Sequence, residues 1–152
     1  MALTKSILEA EIKKFSDESF ILFNKFPENP QEVTSFWSSA INNYAIGVTP
    51  PSISGAAAKS QLEANWLGLS QSALGLFESG LIAYAVTLGL GMQPAFTAIP
   101  PTLPLVLSPV YVLGINGGSA SDCAKLMSTI IHTWFKTGLA INNVSGVTVP
   151  WI

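Results

Sequence analysis

Arginine is absent from the 152 residues and the seven lysines are scattered, so no basic stripe exists to neutralise a phosphate backbone. Direct nucleic-acid binding is therefore not expected. A single cysteine, Cys123, rules out an intrachain disulfide and any multi-cysteine metal site. Charge is scarce as well: charged residues make up 11% of the chain, against about 25% in ordinary soluble domains. Ten of the sixteen charged side chains lie in residues 1–32. Only Lys59, Glu63, Glu78, Asp122, Lys125 and Lys136 serve the rest. Solubility normally asks for interspersed charge of both signs, which the surface beyond Glu32 cannot supply by itself. The charged N-terminus lacks an apolar h-region, so no secretory signal is read there.

What is present is apolar and punctuated by proline. The length fits one structural domain, residues 1–152, and the apolar fraction is 49%. From Ala2 to about Phe26, making residues 1–26 a charged N-terminal helix, Leu8, Ile12, Phe15, Ser19, Leu22 and Phe26 share one helical face. Lys5–Glu9, Glu9–Lys13 and Lys14–Glu18 have i,i+4 spacing. Pro30-Gln31-Glu32 opens a second helix, with proline in its first turn, through Phe36, Trp37, Ala40, Ile41 and Tyr44. A third helix is predicted from about Ser54 to Leu88, with Leu62, Trp66, Leu69, Ala73, Leu76, Gly80, Leu81 and Tyr84 at 3–4 spacing. The same helix carries a stripe of small residues, Gly68, Ser72, Gly75, Ser79 and Ala83, of the kind that lets another backbone approach closely. Each mid-helix glycine costs about 1 kcal/mol relative to alanine, which such packing would offset.

Five prolines between Gly89 and Gly118 bar a continuous helix or a central strand, so residues 92–118 are read as an extended, apolar crossover. A fourth helix starts at Ser119 or Ser121, with Ala124, Met127, Ile131, Trp134, Phe135 and Gly138 on its apolar face. Residues 139–152 read as an extended C-terminal arm ending Pro150-Trp151-Ile152. The expected fold class is thus mainly α: four helices, a Pro-rich crossover and an extended arm. One stretch echoes another: Ala40-Ile-Asn-Asn-Tyr-Ala-Ile-Gly-Val-Thr-Pro returns at Ala140 as Ala-Ile-Asn-Asn-Val-Ser-Gly-Val-Thr-Val-Pro. Two copies are fewer than a repeat array needs, so this is a duplicated helix-exit unit, chance or shared capping chemistry.

Catalytic chemistry finds few residues to work with. A Cys–His pair must come within hydrogen-bond reach, but Cys123 and His132 fall on opposite faces of one predicted helix. His132 reads as a solvated or interface polar residue and Cys123 as a small buried hydrophobe. No phosphate-binding loop, dinucleotide fingerprint or nucleophile elbow is present. Glu63 and Glu78, about 22 Å apart along one helix, cannot share a site, and each reads as a paired or interface charge. Neither an enzyme nor a cofactor or metal site is expected.

Residues 79–121 contain no charge, which raises the question of a membrane. Pro94 ends the stretch from Ser79 after 15 residues, short of the roughly 20 a span needs, and the prolines beyond it would expose unsatisfied backbone to lipid. Membrane contact is not favoured. An apolar-ligand pocket lined by Trp66, Tyr84, Phe96 and Tyr111 is a third alternative, though nothing marks the polar anchors it would need.

The start Met-Ala-Leu-Thr-Lys-Ser-Ile-Leu-Glu-Ala-Glu-Ile-Lys-Lys-Phe, then Phe36-Trp37-Ser-Ser-Ala-Ile-Asn-Asn-Tyr and Gly-Val-Thr-Pro-Pro-Ser, resembles small virion structural proteins of contractile-tailed bacteriophages, over residues 1–60 above all. The resemblance implies a virion component assembled in the bacterial cytoplasm, present in many copies in a symmetric array. Its partners would be copies of itself and other structural proteins. The expected contact residues are Gly68, Ser72, Gly75, Ser79 and Ala83 on the stripe, Phe96, Pro100 and Pro101 in the crossover, and Trp151 and Ile152 at the end. Trp151 is the expected anchor, since tryptophan dominates interface hot spots, unless it packs back on its own domain.

Overall fold

The computed structural model describes residues 2–14, 29–67 and 74–152, which form six helices and a three-stranded sheet. The chain is mainly helical, as expected. Helix α1 (Lys5–Lys13) buries Leu8 and Ile12, and Glu9 pairs with Lys13 at 2.9 Å. The expected continuation to Phe26, with Phe15 and Leu22, lies outside the described residues. Helix α2 (Pro30–Ala45) begins where its proline predicts: Asn29 is the N-cap, its side chain accepting from the Glu32 N–H at 2.9 Å.

The single helix predicted over 54–88 is corrected. Its described parts are two helices, α3 (Gly55–Leu67) and α4 (Leu74–Leu90), packed side by side. The Thr87 hydroxyl donates to the Gln61 side chain, and the Trp66 indole N–H donates to the Phe77 carbonyl at 3.3 Å. In one continuous helix residues 61 and 87 would stand about 39 Å apart. Periodicity alone cannot register such a reversal, because Leu62 and Trp66 on one side and Leu81, Tyr84 and Leu88 on the other keep 3–4 spacing either way.

Strand β1 (Phe96–Ile99) follows α4. The proline-rich segment after it is a strap rather than a free crossover. Leu105 and Leu107 are buried, the Trp134 indole donates to the Leu103 carbonyl at 2.8 Å, and Glu78 accepts from the Leu107 N–H at 2.6 Å. The strap leads into a helix that the reading of 92–118 as wholly extended did not contain: α5 (Ser108–Ile115), with proline in its first turn. Proline there gives up only an N–H that has no intrahelical partner, so it starts a helix instead of breaking one. Helix α6 (Ala120–Phe135) is capped by Ser119, whose Oγ accepts from the Asp122 N–H at 3.0 Å.

The expected C-terminal arm is extended but folded back. Strands β2 (Leu139–Asn142) and β3 (Thr148–Pro150) form a hairpin, and the sheet runs β1-β2-β3, antiparallel throughout, with Ala98 opposite Ala140 and Ala140 opposite Val149. The Asn142 side chain accepts from the N–H groups of Val144 and Ser145 and sets the turn. Trp151 closes the core at 0% exposure, its indole N–H donating to the Leu139 carbonyl, beside Phe135 at 6.4 Å between ring centroids. Phe135 is the hub of this core, in ring contact also with Tyr44, Tyr84 and Trp134. Thr49 and Ile152 exchange two backbone hydrogen bonds, at 2.7 and 3.1 Å. The two echoed stretches therefore end beside each other, yet Ala40–Asn43 is helical in α2 and Ala140–Asn142 is a strand.

Candidate functional site

Apart from Cys123, the polar groups singled out in the sequence have partners within the chain. Cys123 is half-buried on α6 where α5 crosses it, close to Gly114, and is a free thiol. His132 is half-buried, and its Nδ1 lies 2.8 Å from the Tyr44 Oη. Burial pushes the Tyr44 and Tyr84 phenols far above their ordinary range, so both stay protonated, and Tyr84 donates to Asn42 Oδ1 at 2.9 Å. His132 is held below the ordinary histidine value, first by desolvation and then by Lys136 and Lys5. Glu63 accepts from the buried Ser38 hydroxyl at 2.9 Å and lies 3.6 Å from Lys59, while Glu78 holds the strap. The two glutamates serve different partners. Among the described residues, no group of three His, Cys, Asp or Glu side chains is placed to hold a metal ion.

The aromatic residues expected to line a ligand pocket are dispersed. Trp66 and Tyr84 are in the core, Phe96 is on the sheet, and Tyr111 points outward from α5. Of the expected contact residues, Gly68 and Ser72 lie outside the described residues, and Gly75 falls in α4. Ser79 is exposed, Ala83 and Pro100 are half-buried, and Pro101 and Trp151 are buried. Trp151 thus packs on its own domain. Phe96 and Ile152, distant in sequence, meet in an open groove of about 560 Å³ with Pro50, Pro51, Val149 and Pro150, and no ionisable side chain lines it.

The unusual surface lies elsewhere. Helix α5, Ser-Pro-Val-Tyr-Val-Leu-Gly-Ile, has no buried residue, and Tyr111 and Ile115 are 63% and 65% exposed. A helix without a polar face ordinarily sits inside something larger. Helix α4 repeats the pattern on its outer face: Ile82, Val86 and Leu90, at i, i+4 and i+8, are all exposed. Beside its C-terminal end stands Ile53, 89% exposed and bonded through its N–H to the Gly91 carbonyl. Sequence reasoning marked this region as greasy but missed α5; Ser108-Pro109 before an apolar run and Asn116-Gly117-Gly118 after it were the available signal. Among the described residues, no helix is long and apolar enough to cross a membrane. Comparison with family models, curated proteins and solved structures finds no match.

Proposed function

We propose that this chain is a non-enzymatic structural subunit of a large symmetric assembly, and that the assembly is a bacteriophage virion, in which the chain belongs to the tail, baseplate or neck. The observation that carries the structural reading is α5: an eight-residue apolar helix held on the surface with nothing buried, on a molecule that already has a complete core. Burying apolar surface stabilises association by roughly 25 cal/mol per Å² before its entropic costs. The α4 stripe of Ile82, Val86 and Leu90 adds a second face of the same kind. The partners are copies of the chain and neighbouring structural proteins. The virion setting is supported by the resemblance of residues 1–60.

The experiment substitutes the two most exposed α5 side chains, Tyr111→Ser with Ile115→Ser, and measures molar mass by light scattering after detergent-free gel filtration. The native chain runs as a defined oligomer and the double variant as a monomer with unchanged helical content. An unchanged mass in the variant removes α5 from the interface. Recruitment of the native chain to lipid vesicles, lost in the double variant, would replace the assembly reading with a membrane contact. The genes on either side test the setting, since structural virion genes cluster and an unrelated operon contradicts a virion origin.

A further inference from the structure

Helices α1 and α6 run antiparallel along a seam whose charges are matched at two levels. Asp122 near the start of α6 feels Lys13 of α1, and one turn further on Lys125 faces Glu9, which also pairs with Lys13 at 2.9 Å. At the third level Lys5, whose Nζ reaches the Thr129 hydroxyl at 3.5 Å and which shares Glu9 with Lys13 and Lys125, lies near enough to His132 to disfavour its cation. Among the described residues, no carboxylate serves His132. The remaining charges of α1, Glu11 and Lys14, pair with each other at 2.7 Å on the side where Glu11 meets Asn43 of α2. Helix α2 offers His132 only the neutral Tyr44, α5 carries no charge, and α6 adds Lys136 one turn beyond. The seam tolerates this third level because the imidazole is neutral. The buried Tyr44 hydroxyl, which must place its hydrogen on an acceptor, donates to Nδ1 and leaves the ring proton on Nε2.

We propose that His132 is an acid-operated latch on α1: a proton on Nδ1 ends its acceptance of the Tyr44 hydroxyl and turns a charge-matched seam into a mismatched one, so that α1 comes away from α6. Protonation sets a cation between Lys5 and Lys136, and the opening of α1 bares Leu8 and Ile12. The sign follows from linkage. The fold holds His132 below its ordinary value, so the unfolded or opened chain binds the proton more readily. Closure is fully stable above the ordinary histidine range and weakens as pH falls through it toward the folded-state value.

Hydrogen exchange read by mass spectrometry, corrected for the intrinsic effect of pH, tests this at neutral pH and at about pH 5. In the native chain, protection of residues 5–13 falls several-fold in acid while that of residues 74–90 holds. His132→Asn, whose Oδ1 stands in for Nδ1 and still accepts from Tyr44 but takes up no proton, shows no acid-specific loss. Lys5→Gln leaves His132 in place, relieves the mismatch and shrinks the loss, which keeps the test decisive if the His132→Asn variant does not fold. An acid loss of equal size in Lys5→Gln, or no loss in the native chain, overturns the latch.

Discussion

Gly80 shows what a single position contributes. It sits on the face of α4 that meets α3, where a side-chain carbon would collide with the Trp66 indole ring. That indole cannot step aside, because it is stacked on Phe77 at 4.3 Å and bonded to the Phe77 carbonyl. Gly80→Val is therefore expected to destabilise the fold by about 1–3 kcal/mol, the usual cost of overpacking, seen as a lower urea midpoint with an unchanged slope. This close approach lies within the chain, at a glycine outside the stripe of small residues. The sequence showed the glycine; it could not show the indole facing it, because Trp66 stands on a different helix once α3 and α4 fold back. His132 carries the same lesson. Its place on the polar side of α6 was legible, whereas its partner Tyr44, 88 residues away, was not.

At the level of elements, local pattern placed the starts of α2 and α6, but merged α3 with α4 and missed α5. Asn29 and Pro30 start α2, and Ser119 starts α6, because caps are local chemistry readable from a few residues. The tail was legible as extended chain, but its pairing with β1 depends on residues 40 or more positions away. The echo between residues 40 and 140 makes the point within one molecule: Ala-Ile-Asn is helical where it continues α2 and a strand where β1 and β3 flank it. Context decides between the two. The hairpin also changes what a truncation would report. Removing residues 139–152 takes out Trp151 and two of the three strands, and loss of a buried tryptophan alone costs about 3–5 kcal/mol. The truncated chain is expected to lose its cooperative thermal transition by circular dichroism; a shortened protein that still unfolds cooperatively would show that the hairpin is an appendage. Contact surfaces are better probed on α5 and α4, whose outward residues carry no part of the core.

Across the whole molecule, the scarcity of charge beyond Glu32 finds its counterpart in the surface. The helices are packed around Phe135 and Trp151, yet Ile53, Ile82, Val86, Leu90, Tyr111 and Ile115 remain outside. Scattered exposed apolar residues are ordinary, but contiguous ones mark contact sites. All but Ile53, which stands beside the end of α4, are grouped on one helix face and one short helix, an arrangement that suits a subunit better than a free monomer. The direct measurement is sedimentation velocity of the native chain without detergent, over a wide range of concentration. A structural subunit sediments as a discrete species heavier than 16.1 kDa that persists on dilution; a single monomeric boundary at the highest concentration reached would contradict that role.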